Sequence, residues 1–360
     1  MNASKTQKLM NQLIQSPELV IEKLDLVYVK DQKLPIERSE DENGFIYKKN
    51  GRQIKLKREL KRFKSLVLPP AWVDVQISDL SNGHLQAVGL DIKKRKQYRY
   101  HPKWNLIRNQ TKFYKIGAFG QKLPLIRKQV DLDLDRIEWS KNKIIALVIR
   151  LMEETHIRIG NEKYAKENKS YGLSTLRKRH ININKNTLRF EFIGKKGKQH
   201  TITTRNKQLI KLVERCEEIP GWEVFKYYNK NGEKKVLESH MVNEYLHAIS
   251  DEFFSAKDFR TWAASVLFFE SLMEIGVSYD EKQIKKNIII AYDITAEALG
   301  NTRNVCKNYY VHPLLVSTYE DGSIQQYFDK AKRSRSTKKY FSRTETAFAA
   351  LIENYQINLV

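Results

Sequence analysis

Ala298-Leu-Gly-Asn-Thr-Arg-Asn-Val-Cys-Lys-Asn-Tyr-Tyr-Val-His-Pro313 is the stretch on which the reading of this chain turns. The apolar segment Ile288 to Ala291 leads into a helical run, Ile294 to Leu299, that stops at Gly300. Glycine just past the last periodic residue ends helices because it accepts the left-handed backbone. A second short helix is expected to carry Val305, Cys306, Tyr309 and Tyr310, with Pro313 ending it. Two readings of the tyrosine stand open. It is a core aromatic, or it is a phenol nucleophile placed nine residues after Asn301, whose neutral amide can hold a phosphate oxygen.

Composition narrows the choice. With 360 residues the chain is long enough for two domains and a small appendage. Its 65 Lys+Arg against 42 Asp+Glu leave a net charge of +23, a field that attracts a polyanion and repels basic partners. No run approaches the roughly 18 apolar residues of a membrane-spanning helix, and the N-terminus has no signal-peptide apolar core. Cys216 and Cys306 are far apart and form no CxxC, which argues against a disulfide framework or a zinc site. No internal repeat and no Walker A loop is present.

Residues 1–20 read as a short polar helix or tail. From 21 to 106 the texture is short, β-like and turn-rich. Val27-Tyr-Val, Gly44-Phe-Ile-Tyr47, Val73 to Ile77 and His84 to Ile92 are candidate strands, with turns at Asn43-Gly44, Asn50-Gly51 and Asn82-Gly83. Lys55 to Lys64 reads as a basic amphipathic helix. The last strand runs into Lys93-Lys-Arg-Lys-Gln-Tyr-Arg-Tyr-His-Pro102. In an extended chain Tyr98 and Tyr100 share a face. Arg95, Lys96 and Gln97 beside those rings suit phosphate contacts and base-edge readout; a solvated basic edge strand is the alternative.

From residue 107 to 318 helices dominate. Asp131-Leu-Asp-Leu-Asp135 is no calcium loop, because Arg136 stands where glycine is required; it reads as helix-entry carboxylates. Ile144, Leu147, Val148, Leu151 and Met152 form a buried helical stripe that runs out to Arg158 and Gly160. Strands at His180 to Ile183, Leu188 to Ile193 and Thr201 to Thr203 flank a hairpin tip, Gly194-Lys-Lys-Gly197. Lys195 there is a solubilising charge or a proton donor displayed toward a groove. Ser239 is a candidate N-cap for a helix at Val242 to Ile249. Arg260 falls in the first turns of an apolar helix, where backbone N–H groups favour an anion. Residues 319–360 read as a helical extension, with Ser342-Arg-Thr-Glu345 as a capping box for a helix reaching about Asn354.

Arg158, Lys195, Arg260, Asn301 and Tyr310 together form an ordered set, and here the chain resembles the type IB DNA topoisomerases of the compact bacterial and poxvirus branch. The resemblance covers about residues 20 to 320. It rests on Ile157-Arg-Ile-Gly-Asn161, Tyr171-Gly-Leu-Ser-Thr-Leu176, Phe192-Ile-Gly-Lys195, Lys257-Asp-Phe-Arg-Thr-Trp262 and Lys307-Asn-Tyr-Tyr-Val-His-Pro313. It implies an α+β protein: a small, mostly-β N-terminal domain that clamps DNA, and a larger, mainly helical catalytic domain with a small β-hairpin sheet. It implies that Tyr310 is the nucleophile, that Arg158 and Arg260 hold the scissile phosphate, and that Lys195 protonates the leaving group. Lys96-Gln-Tyr-Arg-Tyr100 resembles the segment that touches bases in the major groove, and Arg95, Tyr164 and Lys257 belong to the implied DNA-binding set. Asn301 departs from the pattern, which most often has histidine there.

The implied activity is relaxation of supercoiled duplex DNA through a 3′-phosphotyrosyl intermediate. It needs no cofactor, metal or ATP, and is carried out by a monomer in the cytoplasm at the bacterial nucleoid, or in a virion if the source is a large DNA virus. Two rivals remain. Tyrosine recombinases share the plan but typically place histidine three residues before the second arginine, where this chain has Lys257. A noncatalytic DNA-binding protein would use the charge alone.

Overall fold

The structure is a computed structural model. It describes all of the chain except residues 1, 2, 32, 33, 43, 335–338, 354, 356 and 358–360, and the backbone alone of residues 3–7. Asn43 of the expected first turn and Asn354 at the expected end of the last helix lie outside the described residues. The chain divides into two compact units, Met1–Tyr114 with Gln356–Val360, and Lys115–Tyr355.

The first unit holds α1 (Ala3–Gln15), α2 (Lys57–Ser65) and six strands. These are β1 (Ile36–Asp41), β2 (Gly44–Lys49), β3 (Arg52–Gln53), β4 (Val73–Ile77), β5 (Leu85–Leu90) and β6 (Lys96–Tyr100). They pair antiparallel in the order β3-β2-β1-β4-β5-β6. Asn50 and Gly51, at φ 50° and 76°, make the tight β2–β3 turn, whose mirror-image geometry matches strand twist. Phe63 of α2 is buried with Ile36, Tyr47, Val75 and Ile77. Val27-Tyr-Val is not a strand: Val27 makes only an isolated bridge to Gly83. β1, by contrast, is a full strand although only Ile36 in it is apolar and buried.

A long helix, α3 (Pro102–Leu134), begins in the first unit and ends in the second. Asp131 and Asp133 therefore stand in its last turns, not at a helix entry. That end of the dipole disfavours carboxylates, and cations and a phenol compensate. Arg150 binds Asp131, while buried Asp133 accepts from Tyr245 Oη at 2.7 Å and pairs with Arg136 at 2.6 Å.

The second unit continues with α4 (Lys141–Thr155), α5 (Glu162–Asn168), β7 (Ile181–Asn184), β8 (Thr187–Ile193), β9 (Gln199–Thr204) and α6 (Lys207–Glu218). A hairpin, β10 (Lys226–Tyr228) and β11 (Lys234–Val236), precedes α7 (Ser239–Ser250), which Glu238 rather than Ser239 caps. Then come α8 (Ala256–Ile275), α9 (Glu281–Ala298), α10 (Arg303–Tyr309), α11 (Pro313–Glu320), α12 (Gln325–Arg333) and α13 (Arg343–Ile352). The expectation of a mixed fold, a β-rich N-terminal part followed by a mainly helical part with a small three-stranded sheet, holds. Among the described residues no helix is long and apolar enough to cross a membrane.

The helical core centres on α4, buried almost throughout from Ile144 to Met152, and on α8. Ser342 and Glu345 form the expected capping box of α13. Glu345 also accepts from Trp262 Nε1 of α8 at 2.9 Å and from Arg127 of α3 at 2.8 Å, and Arg127 reaches Glu153 of α4 at 2.7 Å. Burial alone would raise the Glu345 pKa, but Arg127, with the Ser342 N–H and the Trp262 indole, holds it below its ordinary 4.5. Its stabilising contribution is thus present above pH 4.5 and is lost as pH falls through the lowered value. Glu345→Ala leaves the buried Arg127 with Glu153 as its one carboxylate partner and the Trp262 indole N–H without an acceptor, so we expect a loss of about 2 kcal/mol at pH 7. Thermal unfolding of Glu345→Ala and of the Arg127→Ala/Glu345→Ala double variant checks this; the pair should cost less than the sum of the singles.

Candidate active site

The site is assembled where three chain turns meet in the second unit. The first follows α4. His156 caps that helix in the left-handed conformation (φ 54°), and the chain then extends through Ile157 and Arg158. The Arg158 carbonyl accepts from Leu173 N at 2.9 Å, and the Ile159 carbonyl from Ser174 N at 2.7 Å. Gly160 and Gly172 make this approach possible: a Cβ on Gly172 would stand 2.4 Å from the Arg158 carbonyl oxygen. The half-buried Arg158 side chain is thereby presented from a backbone tied down on both sides.

The second turn follows α9. Gly300 N donates to Glu297 O at 2.9 Å and Asn301 N to Ala296 O at 2.8 Å, the paired bonds of a Schellman ending, with Gly300 at φ +60°. This is the stop expected from the glycine. It fixes Asn301 immediately outside the helix, where Arg158 Nη2 donates to Asn301 Oδ1. That bond orients the amide: Asn301 Nδ2 is buried and faces the Cys306 sulfur, a weak acceptor, with no oxygen or nitrogen partner among the described residues. A ligand oxygen arriving there would be a stronger acceptor for this N–H than the thiol.

The third turn carries the phenol. α10, capped by Thr302, ends at Tyr309, so Tyr310 is its cap and not a helical residue. Pro313 does not end this helix but opens α11, where its missing N–H costs nothing. Ser265 of α8 clamps the segment, donating to Tyr310 O at 3.2 Å and accepting from His312 N at 3.1 Å. Tyr310 is buried, with its ring 5.6 Å from the Arg260 guanidinium carbon, while Tyr309 is 54% exposed.

Arg260 sits in the fifth position of α8 and is 5% exposed. The N-terminal N–H groups of α8 are not what holds it. Its Nη1 donates to the His156 carbonyl and its Nη2 to the Leu299 carbonyl at 2.8 Å, the caps that end α4 and α9. Helix C-termini carry negative partial charge, so two of them hold a buried guanidinium with no carboxylate partner. Arg260 Nε is left buried and unbonded. Burial, then the nearby Arg158, lower its pKa to about 10, which leaves it charged at neutral pH.

These cations act on Tyr310. Burial would raise the phenol pKa, but Arg260 and Arg158, with a smaller effect from Lys257, bring it below its ordinary 10. Burial and Arg260 push His156 down to about 4, keeping it neutral. Lys195 is exposed at the β8–β9 tip, as expected, and lines a cleft of about 190 Å³ with Arg158, His200 and Gly300.

The expected DNA-contacting residues fall in three places. Tyr98 and Tyr100 share a face of edge strand β6, their rings stacked at 6.0 Å and 11°. Asp31 accepts from Lys96 at 3.0 Å and from Tyr98 Oη at 3.2 Å. Asp91 accepts from Arg95 Nε at 2.8 Å and Gln97 Nε2 at 3.0 Å. Those carboxylates occupy donors of the type that phosphate and base edges would otherwise use. Tyr164 is 55% exposed on α5, and Lys257 is exposed on the first turn of α8. Ser265, His200 and the carbonyls of His156 and Leu299 had no signal in the sequence. Each acts through backbone or through a neighbour distant in the chain.

This unit gathers two guanidiniums, an amide and a phenol of lowered pKa, residue types that suit a phosphodiester. Residues 94–339 match the family of the eukaryotic DNA topoisomerase I catalytic core, and residues 44–91 match the bacterial DNA topoisomerase IB N-terminal domain. The chain is 31% identical over 292 residues to DNA topoisomerase 1B of Acanthamoeba polyphaga mimivirus, covering 79% of this chain and 87% of that one. It is 29% identical over 263 residues to DNA topoisomerase 1 of rabbit fibroma virus (69% and 77% covered). To DNA topoisomerase 1B of vaccinia virus strain Copenhagen it is 25% identical over 236 residues (65% and 72%). The chain belongs to the type IB DNA topoisomerases. It is an isomerase that acts on DNA.

Proposed function

We propose that the protein relaxes supercoiled duplex DNA by a metal- and ATP-independent cycle in which Tyr310 is the nucleophile. The observation that carries this reading is the lowered phenol pKa of Tyr310 beside Arg260, against the exposure of Tyr309. Tyr310 Oη bonds to phosphorus as the P–O5′ bond breaks. The phenolic proton passes to water, and the electron pair left on the 5′ oxygen takes a proton from the Lys195 ammonium. Arg158 and Arg260 offset the charge that builds on the nonbridging oxygens, and Asn301 Nδ2 donates to one of them. The 3′-phosphotyrosine conserves the bond energy, so the free 5′ end swivels and religates by the reverse step.

Arg158, Lys195, Arg260, Asn301 and Tyr310 all belong to one unit of one chain, which supports action as a monomer. We assign DNA contacts to residues 21–106, catalysis to 107–318 and support of α8 to 319–360, with Arg95, Lys96, Gln97, Tyr98, Tyr100, Tyr164 and Lys257 on the DNA. The recombinase reading has less behind it, since the curated relatives above are named topoisomerases. To test the cycle, supercoiled plasmid is incubated with the protein in EDTA and quenched with denaturant. Relaxation and a protein–DNA adduct whose peptide maps to Tyr310 are expected. A binder leaves no adduct, and loss of activity in EDTA removes the metal-free reading.

A further inference from the structure

His200 takes no part in the chemistry above, yet it touches both halves of it. Its imidazole stands on β9 opposite Phe192 of β8, and the two rings stack at 5.1 Å and 20°. One edge of the imidazole faces Gly194, the residue before Lys195: a Cβ there would lie 2.6 Å from Cδ2 and 2.7 Å from Nε2. The opposite edge faces Gly300, the residue before Asn301, where a Cβ would lie 2.7 Å from Cε1. Neither glycine tolerates a side chain without moving the ring. The imidazole is therefore a spacer, stacked on Phe192 and filling the gap between the Lys195 tip and the end of α9.

We propose that His200 is a positioning residue that sets the distance between the Lys195 ammonium and the phosphate held at Asn301. The proposal rests on the reading of Lys195 as the leaving-group acid. Hairpin tips are held mostly by their own turn, and this one includes Lys196 at φ 65° and Gly197 at φ 76°. Without the ring the space between the tip and the residue before Asn301 is open. The ring itself stays uncharged: burial, then Arg158, Lys198 and Arg260, hold the His200 pKa below its ordinary value. It adds shape at this point, not charge.

The test uses single-turnover cleavage of a duplex with either oxygen or sulfur at the bridging 5′ position. A thiolate leaves without protonation, so sulfur rescues a variant that lacks only the acid. Lys195→Ala should be slow on oxygen and largely restored on sulfur. His200→Ala should lose about 10- to 100-fold on oxygen, the size of effect that misplacement by an ångström produces, and be restored on sulfur in the same way. His200→Gln, of similar volume and unable to carry charge, should stay within a few-fold of wild type. Gly194→Ala should reproduce the His200→Ala defect, and the double variant should be no worse than His200→Ala alone, because removing the ring makes room. Asn301→Ala should gain nothing from sulfur.

Wild-type rates in His200→Ala, or an equal loss on both substrates, overturn the spacer while Lys195 stands. Failure of sulfur to rescue Lys195→Ala overturns the acid reading and the spacer with it. Melting temperatures of each variant separate a folding defect from a positioning one.

Discussion

Tyr310→Phe binds DNA as the parent does but cleaves it at least about 10⁴-fold more slowly, the scale on which removing a covalent nucleophile acts. The substitution takes away one oxygen and leaves the ring, which is buried and packed over Arg260. The backbone clamp from Ser265 is also untouched. The defect is therefore chemical. Tyr309 cannot take over, because it belongs to α10 and is 54% exposed, whereas Tyr310 falls outside the helix and turns inward. Plasmid relaxation in EDTA reads the difference: Tyr309→Phe retains activity, Tyr310→Phe has none. Because the phenolate attacks, cleavage by the parent should also rise with pH through an apparent pKa below the ordinary tyrosine value of 10, and fall again where the Lys195 acid loses its proton. A relaxing Tyr310→Phe variant, or an adduct mapped to Tyr309, would overturn the assignment.

The parts of this protein that were legible in its sequence are those set by local chemistry. Gly300 announces the end of α9 because only a left-handed residue closes that Schellman turn, and Ser342 with Glu345 announces α13. The alternation of Leu188, Phe190 and Phe192 places Lys195 at a hairpin tip because three inward side chains leave little choice of face. Where partners lie far along the chain, local pattern misleads. β1 escaped notice because Glu37 to Asp41 carry no apolar alternation; the strand exists because β2 and β4 pair with its backbone on both sides. Asp131 and Asp133 resemble a helix entry only until Arg150, Arg136 and Tyr245 are known to meet them. Pro313 signals a helix boundary without saying which side of it is helical. The ordered set of site residues was visible as a motif, but the forces that hold it were not. Carbonyls have no letter in a sequence.

That gap bears most on Arg260, and it leads to the second large effect. Arg260→Ala should lower cleavage by about 10³-fold, since a guanidinium facing a transferring phosphoryl group is worth roughly 10³–10⁵ in rate. It should also cost stability. The carbonyls of His156 and Leu299 lose the donor that satisfies them, and each buried acceptor left bare costs about 1–3 kcal/mol. Arg260→Lys separates the two roles. An ammonium is a point charge on a flexible stem, so it can return toward the carbonyls but cannot bridge both and still direct an N–H at phosphate from the Nε side. The lysine variant should therefore recover much of the melting temperature and little of the rate. Single-turnover cleavage beside thermal unfolding of both variants gives the comparison. If lysine restores rate and stability together, charge alone suffices at this position. The fork held between the ends of α4 and α9 would then be a packing feature, not the source of catalysis.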